Sequence, residues 1–302
     1  MDVYLPIANL AVNGLYIVLL GAFTGILSGI FGVGGGFLTT PLLIFYGVPP
    51  TVAAASAATQ VTGASVSGVF AHKERGGVDF QMGTVLVVGG IFGAILGAGL
   101  FSALQAIGQI DTVINVLYVA LLGTIGGLMA RESLQAMGKV KGSSRAARRR
   151  HHPAVANLPF KWRFYRSGLY ISPLAPLLLG VIVGILTMLM GVGGGFILIP
   201  AMLYILGMSA NVVVGTSLFN ILFVTIATTM THAMTTKAVD IVLAVLLLFG
   251  SVTGAQIGTK IALVAKPEIL RLLLAVLVLS IAIILFFRLT VVPSEIYSVV
   301  GL

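Results

Sequence analysis

Two copies of one glycine-rich element, Gly32-Val33-Gly34-Gly35-Gly36-Phe37 and Gly191-Val192-Gly193-Gly194-Gly195-Phe196, carry the clearest chemical potential in this chain. Glycine loses more backbone freedom than any other residue when a helix forms, so four glycines in five positions predict an interruption. A short apolar segment follows each copy, at 35–46 and 194–206. The first N–H groups of a helix starting there have no partner within it, and the positive end of its dipole faces the interruption. That arrangement recognises an anion without a charged side chain. The expected donors are Gly34, Gly35 and Gly36 in the first copy and Gly193, Gly194 and Gly195 in the second. The competing reading is that these glycines only let helices pack closely. No Lys-Ser or Lys-Thr pair follows either copy, which excludes a nucleotide-phosphate loop.

Polar residues set in long apolar segments are the next candidates. Ser56, Thr59 and Gln60, with Thr216, Ser217 and Asn220, offer hydroxyl and amide donors that replace part of an oxyanion's hydration shell. Their alternative role is hydrogen bonding between helices. His72 and His232 end matching segments, where an imidazole titrates near neutral pH and gates an entrance, or simply caps a helix at the interface. Asp79 and Asp240 open the next segment, where an acid favours the helix start without any catalytic task. No carboxylate lies deep in an apolar segment, so the usual proton or sodium relay is missing. The chain has no cysteine, and its four histidines form no zinc motif. No cofactor, no metal and no enzymatic activity are expected.

The elements that hold these residues are membrane helices. The chain is 58% hydrophobic and 8% charged, against about 25% charged in soluble domains, so lipid is the solvent for most of its surface. Uncharged stretches such as 5–71, 80–110, 167–231 and 272–287 each accommodate at least one helix of about 20 residues across a bilayer. The alternation of a transmembrane β-barrel is absent. No basic region precedes the first apolar run, which is read as a permanent helix beginning near residue 7.

The glycine element repeats at a displacement of 159 residues, and Pro41 falls on Pro200. After one inserted residue, Ala55 to Gln60 matches Gly215 to Asn220 and His72 matches His232; after another, Asp79 matches Asp240 and Gly89, Gly93, Gly97 match Gly250, Gly254, Gly258. The predicted fold is therefore an all-α polytopic membrane protein of two homologous halves, each of about five helical segments, with eight to ten transmembrane helices. Its divisions are a first repeat at 1–130, a basic linker with an interfacial segment at 131–170, and a second repeat at 171–302. Five crossings per half insert the copies in opposite orientations, an inverted repeat of the transporter kind. If the short segments at 35–46 and 194–206 are re-entrant, the count falls to eight and the repeats become parallel.

Net charge is +9, and the stretch from Arg131 to Arg166, with ten basic residues against one acid, carries the whole excess. Positive loops stay on the cytoplasmic side, so this loop is expected inside and nucleic acid is not an expected partner. Phe160 to Arg166 interleaves aromatic and basic residues and suits the lipid headgroup boundary. The expected partners are a small anion and the bilayer, with homo-oligomer formation left open. A second function class is a membrane scaffold or assembly factor whose basic loop binds a soluble partner.

The duplicated Gly-x-Gly-Gly-Gly-Phe element with proline five residues after its last glycine, the Gly215-Thr216-Ser217 element and the basic central loop together resemble the TauE/SafE family, the sulfite-exporter and sulfonate-permease group. The similarity spans about residues 10–130 and 172–288, with Ala55-Ser56-Ala57 standing in the first half where the second has Gly-Thr-Ser. The resemblance implies passage of sulfite or organosulfonates across the cytoplasmic membrane.

Overall fold

The computed structural model describes residues 2–31, 33–74, 76–136, 159–264 and 267–290. Gly32 and the core of the basic loop, including Arg145 to His152, lie outside the described residues. Among the described residues ten α-helices form two sets of five. The first set is α1 (Gly14–Phe31), α2 (Gly36–Phe45), α3 (Pro50–Glu74), α4 (Phe80–Ala106) and α5 (Ile110–Ala136). The second is α6 (Leu174–Met190), α7 (Gly195–Tyr204), α8 (Ala210–Thr231), α9 (Ile241–Val264) and α10 (Pro267–Thr290), with a π-helical turn, His232–Thr236, closing α8. Among the described residues six helices are long and apolar enough to cross a membrane: α1, α4, α5, α8 with its π turn, α9 and α10. The other four differ for physical reasons: α2 and α7 have 10 residues, about 15 Å, α6 has 17, about 26 Å, and α3 is diluted by alanine, serine and threonine.

A β-hairpin precedes each set. Strands β1 (Asp2–Leu5) and β2 (Leu10–Asn13) pair antiparallel ahead of α1, and β3 (Trp162–Phe164) and β4 (Leu169–Ile171) pair ahead of α6. Their turns carry Asn9 at φ 51° and Gly168 at φ 65°, residue types that tolerate the left-handed region, at matched positions of the repeat. The apolar run expected to be helical from residue 7 therefore starts its helix only at Gly14, where Asn13 Oδ1 accepts the N–H groups of Leu15 and Tyr16. The aromatic-basic stretch after Phe160 enters β3, with Phe164 buried and Trp162 and Tyr165 exposed.

Glycine decides how the two sets interlock. In α1, Gly21, Gly25 and Gly29 lie against Leu247, Ser251 and Ala255 of α9, while Gly250, Gly254 and Gly258 of α9 lie back against Val18, Ala22 and Ile26. The same contact joins α4 to α6, where Gly89, Gly93 and Gly97 meet Leu177, Val181 and Ile185. Numbers rise together in both pairs, so the helices run parallel. The fourth helix of each half thus packs on the first helix of the other. Between them α3 and α8 run antiparallel, with Thr59 facing Thr229, Thr62 facing Thr225 and Gly68 facing Leu218. In lipid no hydrophobic effect drives helices together, so such backbone-to-backbone approach supplies the packing energy.

A methyl group at Gly93 would overlap the carbonyl oxygen of Val181, whereas one at Gly123 meets nothing within 4 Å. Gly93→Ala is expected to cost about 1–3 kcal/mol or more, because backbone cannot yield as a side chain does. Thermal unfolding in detergent should show a lowered midpoint for Gly93→Ala and none for Gly123→Ala.

Candidate substrate site at the paired helix interruptions

Both glycine elements interrupt the chain as their composition predicts. Gly34 and Gly35 have φ of 83° and 47°, and Gly191, Gly193 and Gly194 have φ of 70°, 73° and 76°. Residues with a Cβ rarely adopt this region, so the chain turns here because these residues are glycine. The two interruptions meet. A Cβ on Gly36 would lie 2.7 Å from the carbonyl oxygen of Gly191, and one on Gly195 would overlap the carbonyl of Val33. Phe37 and Phe196, the first residues beyond the glycines, stack at 4.5 Å with 7° between their planes.

The space on their inner side is filled. Val61 of α3 and Ile221 of α8, both fully buried, press against Gly34 and Gly193. The open pocket expected between the two helix starts is thus occupied by these two side chains. The reason is that α3 and α8, antiparallel and adjacent, each present a β-branched residue at their crossing.

An interrupted helix also frees carbonyl groups, and in lipid these need partners. Tyr118 of α5 donates its hydroxyl to Met190 O at 2.6 Å, and Thr40 Oγ1 of α2 donates to the same oxygen at 3.3 Å. His232 Nε2 lies 2.9 Å from Met188 O, which fixes the proton on that nitrogen, and its ring is edge-on to Phe101 at 5.0 Å. Hence His232 is fully buried and holds the last turn of α6, not an entrance; His72, at the end of α3, is half-buried. Tyr118 and Thr40 are functional parts that composition did not mark. Their signal was a hydroxyl in an otherwise apolar helix, shared with many residues that do nothing comparable.

The other polar candidates divide into two groups. Ser56 Oγ accepts the N–H of Asp240 at 3.1 Å, and Thr216 Oγ1 accepts the N–H of Asp79 at 2.9 Å. Each hydroxyl therefore fixes the start of the other half's fourth helix. The aspartates cap those helices through Met82 N and Leu243 N, and their second oxygens accept backbone N–H groups of the hairpin turns, Ser167 for Asp79 and Ile7 and Ala8 for Asp240. Thr59 pairs with Thr229 at 3.4 Å, half-buried. Interhelical bonding thus accounts for Ser56, Thr216 and Thr59. Gln60, Ser217 and Asn220 are different: all are fully buried. Gln60 Nε2 donates to Thr24 Oγ1 at 3.1 Å while its Oε1 has no partner, and neither Ser217 Oγ nor either amide atom of Asn220 has one among the described residues.

A cleft of about 470 Å³ leads toward the interruptions. Val33, Phe196 and Val213 lie at its inner wall, and Glu132 and Tyr204, which share a hydrogen bond, line it at the far ends of α5 and α7. It lies at the end of α5 from which the basic loop departs.

These features define a polytopic helical membrane protein with two intertwined repeats and buried polar groups around a pair of helix interruptions. The chain matches the sulfite exporter TauE/SafE family over residues 17–285 and belongs to that family. It is 27% identical over 263 residues to the "Probable membrane transporter protein YjnA" of Bacillus subtilis, covering 87% of this chain and 96% of that one. A "Probable membrane transporter protein" of Xylella fastidiosa strain Temecula1 is 27% identical over 272 residues, covering 89% and 93%. Another from Bacillus subtilis, YtnM, is 38% identical over 107 residues, covering 34% of this chain and 35% of that one. No solved structure matches the chain significantly. It is a membrane transporter.

Removing the Tyr118 hydroxyl leaves Met190 O with Thr40 Oγ1 as its donor, at the longer distance of 3.3 Å. Tyr118→Phe is expected to destabilise the protein by about 1–3 kcal/mol, as a buried acceptor loses its better donor. Chemical or thermal unfolding in detergent measures it, and an unchanged midpoint would show that the interruption does not depend on this bond.

Proposed function

We propose that this protein carries small sulfur oxyanions, sulfite or organosulfonates, outward across the cytoplasmic membrane. The observation that carries the reading is the meeting of two glycine interruptions near the buried side chains of Asn220, whose amide nitrogen and oxygen have no partner among the described residues, and Gln60, whose Oε1 has none while its nitrogen is held by Thr24. The starts of α2 and α7 are electropositive, and their glycines admit a guest to the backbone once Val61 and Ile221 move aside. In this reading Gly34 to Gly36 and Gly193 to Gly195 give backbone donors, Gln60, Ser217 and Asn220 select the oxyanion, and Ser56, Thr59 and Thr216 hold the frame. Export needs no coupled cation, because a membrane potential of 100 mV, negative inside, drives each negative charge outward by about 2.3 kcal/mol.

Alternating access follows from inverted topology. Two observations favour it. Helices α3 and α8 occupy matching places in the repeat yet run antiparallel. Tyr46, after α2, stacks on Tyr16 in the first turns of α1 at 4.7 Å, so α1 and α2 leave from and return to one end. Each half then makes an odd number of passes, two of them by the α1–α2 or α6–α7 pair. With the basic loop in the cytoplasm, the cleft beside Glu132 and Tyr204 opens inward.

Purified protein in proteoliposomes is expected to move labelled sulfite faster than sulfate, taurine or chloride, and Gly193→Val, with its side chain forced onto Val61, should abolish that flux. Equal leakage of all four anions, or unchanged flux in the variant, would remove the reading. Since the chain has no cysteine, single introduced thiols report topology. Tyr4→Cys and Tyr165→Cys, on the exposed faces of the two hairpins, should label from opposite sides of the cell membrane; labelling from one side would make the repeats parallel.

A further inference from the structure

Buried polar groups in native proteins are nearly always paired, and unpaired ones mark places built for something else. Seven buried side-chain polar atoms lack a partner among the described residues, and four belong to α8: Ser217 Oγ, Asn220 Oδ1 and Nδ2, and Thr228 Oγ1. All three residues are fully buried. Their spacing of three and eight residues puts them on one face of the helix, with Val224 between, over about 16 Å of its axis. That file starts one turn beyond Val213, which lines the cleft. Along it, Asn220 and Val224 lie beside Gly90 of α4. In the first half α3 leaves only Gln60 Oε1 and Ser65 Oγ without a partner among the described residues, five residues apart and so on different faces of the helix. At the matching positions of α3 stand Ala57, Gln60 and Gly68, and the Gln60 nitrogen is already held by Thr24, where the second half has Val183.

We infer that Ser217, Asn220 and Thr228 form a one-sided polar lining that meets the substrate beyond the cleft, and that this lining takes singly charged oxyanions in preference to doubly charged ones. The inference rests on the transport reading above. The charge preference comes from the setting. No lysine or arginine is buried among the described residues, so the donors are neutral. Neutral donors repay an anion in proportion to its charge, while the cost of stripping its water grows with the square of that charge. Asn220 also offers Oδ1 as an acceptor, which suits an oxyanion that still carries one proton. A residue lacking that dual capacity would serve a fully deprotonated anion equally well.

The test is anion uptake by proteoliposomes containing wild type, Ser217→Ala, Asn220→Leu or Thr228→Val, together with thermal unfolding of each. Each substitution is expected to raise the half-saturating sulfite concentration about tenfold, the loss of one hydrogen bond to a charged group. Melting temperature should stay level or rise, because an unpaired buried polar atom has been replaced by an apolar one. Sulfite flux should fall as the pH is raised past the loss of its last proton, while flux of methanesulfonate, which keeps a single charge, should not. Methanesulfonate also reports any titration of the protein itself, through His232 one turn beyond Thr228, Asp79 at the start of α4, or His72, Lys73 and Glu74 at the end of α3; α6 and α7 carry no charged residue. Wild-type kinetics in all three variants, a fall in melting temperature with kinetics unchanged, or equal carriage of the doubly charged form would overturn the inference while leaving the transport reading intact. Should Asn220→Leu fail to fold, Ser217→Ala and Thr228→Val decide alone. A wild type that moves no anion overturns both.

Discussion

Every exposed backbone group in this fold faces the same constraint: hydrocarbon offers it no hydrogen bond. Two helices are nevertheless interrupted in the interior, and the cost is met by particular side chains. At the second interruption Tyr118, Thr40 and His232 each address a carbonyl freed at the end of α6. Thr40 comes from the first half and serves the second, so the interruption exists only in the assembled pair. A half folded alone would leave the Met190 carbonyl with fewer donors in lipid.

The same interdependence governs the helix starts. Ser56 fixes Asp240, and Thr216 fixes Asp79, so each half positions the other's fourth helix. The aspartates then tie in the hairpin turns at Ala8 and Ser167, which brings three elements from both repeats together at each aspartate. Glycine ladders complete the interlock, because α1 reaches α9, and α4 reaches α6, at backbone distance. The moving parts of a transporter must therefore be sought where this network is thin. Val61 and Ile221 meet the interruptions through apolar contact alone, although α3 and α8 themselves are joined by the Thr62–Thr225 and Thr59–Thr229 hydrogen bonds.

The halves are related in sequence but not in polarity. Matched positions on α3 and α8 carry Ala57 and Ser217, Gln60 and Asn220, Gly68 and Thr228. Pseudo-symmetry of the backbone relates the two faces, and substitution has left Ser217, Asn220 and Thr228 unpartnered on α8 where α3 leaves Gln60 Oε1 and Ser65 Oγ.

The membrane class, the duplication and the two interruptions were legible in the residues themselves, because they depend on local quantities: hydropathy per segment, glycine content, and identity at a fixed displacement. The hairpins were not legible, since their strands are four and three residues long and hide inside apolar runs. Nor could spacing separate Ser56 and Thr216, which hold the frame, from Ser217 and Asn220, which have no partner: neighbours on one helix point to different places, and what lies there is set by helices more than a hundred residues away. Sequence determined which groups are polar and where the chain must break; only the tertiary packing decided which of those groups another helix satisfies, because hydrogen-bond partnership is a property of pairs brought together by the fold.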